Sequence, residues 1–213
     1  IATRASHLAA YQNRRYARRY RALVDRVAAV EAPMFSGSTA LTEAVARGYH
    51  KLLAYKDEYE VARLYTTREF RASLAEQFET PKRLEFHLAP PLLAKRDPRT
   101  GQLVKRSYGP WMLHAFRILA PFKRLRGTRL DPFGRTEERR TERRLIGEYE
   151  ALVEEIIQHL TAQNLATAVA LASLPERIKG FGHVKEKAIR EATAEQARLL
   201  DRLRAPTLAV PAE

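Results

Sequence analysis

The stretch TEERRTERRLIGEYEALVEEIIQHL, residues 136–160, decides the fold class. Leu145, Tyr149, Leu152, Val153, Ile156, Ile157 and Leu160 recur at intervals that return side chains to one face of an α-helix. Thr136 stands where an N-cap is expected, and Glu137 and Glu138 put carboxylates in the first turn, where the positive end of the helix dipole favours them. The stretch predicts the longest helix of the chain, with one apolar face that other elements must cover.

Those elements lie on both sides of it. Leu8, Tyr16, Tyr20, Leu23, Val24, Val27 and Val30 predict an amphipathic helix from about Ala5 to Glu31, ending before Pro33. Thr39 is placed to N-cap a second helix, whose buried stripe is Leu41, Val45, Tyr49, Leu52 and Leu53 and whose pattern runs on to Tyr65 with a break near Asp57. Thr67 opens a shorter helix carrying Phe70, Leu74 and Phe78. Between Leu84 and Gly109 the period changes from helical to alternating, and Asp97-Pro98-Arg99-Thr100-Gly101 reads as the turn of a β-hairpin. After Gly109-Pro110 a helix begins near Trp111 and is bent or ended by Pro121. Asn164 breaks the long helix before an Ala-rich one from about Leu165 to Leu174, and Gly180-Phe181-Gly182 precedes a last helix from His183 to Arg204. The expected fold is mainly α: a single helical, bundle-like module spanning residues 1–213 with one small β-hairpin insertion, and an internal seam, if any, at residues 84–109.

The 213 residues include no cysteine, so this segment offers neither a disulfide nor a thiolate site for zinc or an iron–sulfur cluster. No apolar run approaches a membrane span, which points to a cytoplasmic module without membrane contact. A start at Ile1 instead of Met fits a piece of a longer parent. The formal net charge of +13 draws polyanions, acidic protein surfaces and phosphorylated ligands alike.

Several motifs divide between a functional and a structural reading. Arg14, Arg15, Arg18, Arg19 and Arg21 interleave with Tyr11, Tyr16 and Tyr20, a mixture suited to phosphates and bases, although tyrosines at helical spacing belong equally to a core. The run Arg135 to Arg144 mixes arginines with Glu137, Glu138 and Glu142 and reads as a solvated, ion-paired face. Residues 123–135 form a basic connector with Lys123, Arg124, Arg126 and Arg129 as candidates for anion or partner contact. Arg177, Lys179, Gly180, Gly182, His183 and Lys185 form a second candidate group, where glycine-freed backbone amides and positive charge meet the start of a helix. His87 and His114 lack an evident nucleophile partner and are read as structural.

Four stretches carry a resemblance: residues 84–91 (LEFHLAPP), 108–112 (YGPWM), 125–134 (LRGTRLDPFG) and 174–185 (LPERIKGFGHVK). Together they resemble the C-terminal region of fused, single-chain indolepyruvate ferredoxin oxidoreductase family proteins. The resemblance implies a parent similar to the thiamine-diphosphate-dependent 2-oxoacid:ferredoxin oxidoreductases, which decarboxylate a 2-oxoacid, transfer the acyl group to coenzyme A and reduce ferredoxin. It implies no catalytic, cofactor-binding or metal residue in this region, which such parents carry as an accessory domain. Thiamine diphosphate, Mg and an iron–sulfur cluster or ferredoxin acceptor belong, on this resemblance, to the parent or its partners. The implied partners are the catalytic domains of the same parent chain, with ferredoxin or coenzyme A as further candidates. The contrasting expectation is a free-standing basic helical protein that binds nucleic acid.

Overall fold

The computed structural model describes residues 1–78, 84–89 and 104–205. In chain order the elements are α1 (Ala2–Tyr11), α2 (Arg14–Met34), α3 (Ala40–Leu53), α4 (Glu58–Thr66), α5 (Arg68–Gln77), β1 (Phe86–Leu88), β2 (Arg106–Tyr108), α6 (Met112–Leu119), α7 (Glu137–His159), α8 (Leu165–Ser173) and α9 (Gly182–Arg204). Short 3-10 turns at Ala120–Leu125 and Leu174–Arg177 follow α6 and α8. The fold is mainly α with one small antiparallel hairpin, in which Phe86 faces Tyr108, His87 faces Ser107 and Leu88 faces Arg106. The expected turn at 97–101 and the start of the second arm at Gln102 lie outside the described residues.

The chain divides into two compact units, one of residues 1–55 and 141–213 and one of residues 56–140; the segment 84–109 lies inside the second. In the first, Leu8, Tyr20, Val24, Val27, Leu41, Val45, Tyr49, Leu53, Val153, Ile156 and Leu171 make one continuous core. Of the tyrosines predicted on the buried stripes of this unit, Tyr20, Tyr49 and Tyr149 lie inside it and stack in succession with ring centroids 6.0 Å apart, while Tyr16 packs partly buried against it. Each of these phenols finds an acceptor, Tyr20 on the Ala46 carbonyl at 3.2 Å, Tyr149 on that of Ala172 at 2.7 Å, and Tyr49 on the Glu150 carboxylate, so all three are satisfied where they are buried. The second unit packs Ala62, Phe86, Met112 and Phe116 together, with Tyr65 stacked on Phe116 at 5.3 Å.

Two predicted boundaries and one predicted cap differ. The first helix is two, because the Asn13 side chain accepts the Tyr16 amide at 2.9 Å and caps α2 where the periodicity alone runs through. Pro33 lies inside the last turn of α2, where only Met34 of the helix follows it, so the break it imposes coincides with the helix end. Thr39 makes no side-chain cap for α3; the buried carboxylate of Glu31 takes the amides of Leu41 and Thr42 instead, at 2.9 and 2.8 Å.

Candidate partner-contact site

The connector after α6 is organised from beneath by two carboxylates. Asp57 caps α4 by accepting the Glu60 amide at 2.8 Å, and its two oxygens also receive Arg126, from Nε at 2.5 Å and Nη2 at 2.9 Å. Asp131 accepts the Gly127 amide at 2.8 Å, the Phe133 amide at 3.1 Å and the Tyr59 hydroxyl at 3.1 Å. Arg126 and Asp131 are 5% and 3% exposed. The Arg126 guanidinium lies 5.7 Å from the centroid of the Tyr59 ring, and burial together with Asp131 pushes the Tyr59 phenol well above its ordinary range. Gly127 holds φ +75°, a left-handed turn that glycine enters without steric cost.

What the connector presents outward is a different set. Arg129, Leu130, Pro132 and Arg135, with Thr136 at the entrance to α7, line an open depression of about 560 Å³. Leu130 is 75% exposed, and Arg135 Nη2 reaches the Arg129 carbonyl at 3.4 Å. Two guanidinium groups beside an exposed leucine suit a carboxylate-bearing or phosphorylated surface with an apolar edge, because arginine pairs with both anions through its planar fork. Of the residues expected from sequence, Arg124 and Arg129 are exposed and Lys123 is half-buried. Burial, with Arg63 and Arg126 nearby, draws the Lys123 ammonium below its ordinary value. Arg126 is not part of this outward surface, since it is buried with its guanidinium on Asp57. Arg135, which the sequence places where the connector meets the run that follows, joins Arg129 in lining the depression.

The second expected group lies in the other unit. Arg177, Lys179, Gly180, Gly182 and His183 are exposed around the start of α9, which carries no side-chain cap and no acidic residue in its first turn. Gly180 and Gly182 have φ of +92° and +53°, and a Cβ on Gly180 would stand 2.7 Å from Val184. Lys185 is turned onto the Glu142 carboxylate. Lys51, on α3, joins this group unforeseen: its ammonium donates to the Glu176 carbonyl at 2.9 Å, and burial, then the charges of Lys179 and Lys185, outweigh Glu176 and draw it below its ordinary value. Only the folded chain brings it there, across 125 residues of sequence.

The remaining motifs resolve structurally. Tyr11 and Tyr16 donate to the Tyr55 and Leu53 carbonyls at 2.8 and 3.1 Å, and Arg19 forks onto Glu150 at 2.7 and 2.8 Å. In the run Arg135 to Arg144, Arg139 pairs with Glu58 at 3.3 Å, Glu142 with Lys185 and Arg144 with Glu148 at 3.0 Å, so these charges reach other elements as well as their own helix. His87 Nδ1 lies 2.9 Å from Ser107 Oγ, the residue opposite it in the hairpin, and both are exposed. Register accounts for that pair. Among the described residues no group of three or more His, Asp or Glu is arranged to hold a metal ion, and no helix is long and apolar enough to cross a membrane.

The profile of a family of unknown function, DUF6537, matches residues 1–198. The chain belongs to the DUF6537 family. No curated protein and no solved structure matches it. The span shared with DUF6537 takes in both basic groups, the pinned connector and the start of α9, and ends within α9.

Proposed function

We propose that this DUF6537 chain is a non-catalytic accessory module of a cytoplasmic, thiamine-diphosphate-dependent indolepyruvate (2-oxoacid):ferredoxin oxidoreductase, supporting assembly or partner contact. The four stretches that resemble that family's C-terminal region support the reading. The observation that carries it is the connector: buried Asp57 holds the Arg126 side chain and buried Asp131 the Gly127 and Phe133 amides, while Arg129, Leu130 and Arg135 line the open depression. A surface ordered before contact loses little conformational entropy when a partner arrives. The chain has no cysteine to ligate an iron–sulfur cluster, and the resemblance implies no thiamine diphosphate or Mg site in this region. These groups are therefore assigned to the parent's other domains, and no step is derived through them. Catalytic domains of the parent, an acidic ferredoxin or coenzyme A phosphates are the contacts the arginines suit.

The test is the full-length parent with and without this segment, assayed for coenzyme A-dependent oxidation of indolepyruvate with a viologen acceptor and for assembly by sedimentation. Loss of activity or assembly on deletion, reproduced in part by Arg129→Glu with Arg135→Glu, is expected. An intact, fully active truncated enzyme refutes the reading. The exposed arginines 14, 15, 18 and 21 along α2 favour nucleic acid as the second reading. It requires binding by the isolated protein that weakens steeply with salt.

A further inference from the structure

Trp111, Ile118 and Phe122 are among the most exposed apolar side chains of the second unit, at 59%, 69% and 49%. They are separated by seven and four residues, the spacing that returns to one side of a helix, and they run from the first residue before α6 into the 3-10 turn that continues it. The opposite side of α6 is already occupied, since Met112 and Phe116 pack with Phe86 and Ala62. The strip is therefore a second apolar face on an element that needs only one. Trp111 is held in place by Tyr108, edge-on at 6.0 Å. His114, Arg117 and Arg124, all exposed, follow one flank of the strip and include no acidic residue.

From this we infer that the α6 strip is the docking face for an acidic amphipathic helix of a partner polypeptide. The partner lays aliphatic residues at one-turn spacing along Trp111, Ile118 and Phe122 and sets Asp or Glu against Arg117 and Arg124. A helix in a groove of this kind is read through anchors at i, i+3 or i+4, and i+7. Charge complementarity selects this occupant. A second copy of the chain, docked through the same face, would bring Arg117 and Arg124 against their like. A membrane surface would require a longer apolar face than the 8 residues of α6 and its short extension provide. The face is distinct from the Arg129 and Arg135 depression, and the inference does not depend on which enzyme the parent is.

The test uses the full-length protein in its native host, with a benzophenone amino acid at position 118 and cross-linked peptides mapped by mass spectrometry. A synthetic peptide of the mapped segment is then titrated against the full-length protein and its Trp111→Phe variant, so that the difference in emission reports this face. The expected result is one acidic, amphipathic helical segment, binding with a blue shift of Trp111. Its affinity falls about tenfold in Phe122→Ser or Ile118→Ser and several-fold in Arg117→Glu with Arg124→Glu. Because both apolar positions are exposed, circular dichroism should be unchanged; if one serine variant unfolds, the other carries the test. Cross-links to lipid, to nucleic acid, to a second copy or to a basic segment overturn the inference, as does the absence of any cross-link or a titration indifferent to these variants.

Discussion

The carboxylate of Glu31, in the last turn of α2, accepts both the amide and the hydroxyl of Thr42 in the first turn of α3, at 2.8 and 2.7 Å. It also accepts the Leu41 amide at 2.9 Å and the Ser38 hydroxyl at 3.0 Å, and is itself 1% exposed. One side chain thus supplies the acceptors that Thr39, at the N-cap position, does not. Burial pushes the Glu31 carboxyl up, but the hydrogen bonds from Thr42, Leu41 and Ser38 together outweigh it and hold the group below its ordinary value.

Replacing it with alanine strands two buried amides as well as removing a cap. Glu31→Ala is expected to cost about 2–4 kcal/mol in urea denaturation, from cap loss and unsatisfied donors together. Because the folded pKa lies below the unfolded one, the contribution is present above the unfolded value and is lost as pH falls through the folded one. The gap between wild type and variant should narrow at low pH; a constant gap would contradict the charged-cap assignment.

Arg126 and Asp57 should behave as a coupled pair. Arg126→Met leaves a buried carboxylate without its partner and is expected to lose about 3–5 kcal/mol. Asp57→Asn keeps an acceptor for the Glu60 amide, so the double variant should cost clearly less than the sum of the two singles. Thermal melts of the four proteins supply the cycle, and strict additivity would remove the pair from the account.

Two helical glycines should respond in opposite directions. A Cβ on Gly48 would meet the Ala172 carbonyl at 2.6 Å, the Tyr149 hydroxyl at 2.8 Å and Pro175 at 3.3 Å, whereas one on Gly147 meets nothing within 4 Å. Gly48→Ala is expected to destabilise by about 1–3 kcal/mol through overpacking, despite better helix propensity. Gly147→Ala should stabilise by about 0.5–1 kcal/mol. Denaturant midpoints of the two variants, measured side by side, check both signs.

His50 Nε2 lies 3.1 Å from His7 Nδ1, and burial, followed by the charges of His7 and Arg4, lowers its pKa from 6.5 to about 4. The folded state therefore resists a proton that the unfolded state accepts. Stability should be complete above pH 6.5 and decline as pH falls toward about 4. After allowance for solvent screening the loss is on the order of 1–2 kcal/mol. His50→Gln should flatten that part of the profile, and an NMR titration placing His50 near its ordinary pKa would rule this cause out.

The helices, their apolar faces and the hairpin were legible in the sequence, because periodicities of 3.6 and 2 residues are written over short spans. Leu145 to Leu160 declared its face without any knowledge of what covers it, and the tyrosines at 16, 20 and 49 declared theirs. The division of labour among the arginines was not legible. Arg126 and Arg129 sit three residues apart in one basic connector, yet one is buried on Asp57 and the other lines an open depression. That difference depends on a carboxylate 69 residues away. Likewise Lys51 joins the α9 group only through folding, and Glu31 displaces Thr39 as the cap of α3 because packing brings a buried carboxylate to those amides. Local pattern set which faces turn inward; the pairing of charges across long sequence separations belongs to the tertiary structure, because buried charge is tolerated only where a partner is brought within hydrogen-bonding distance.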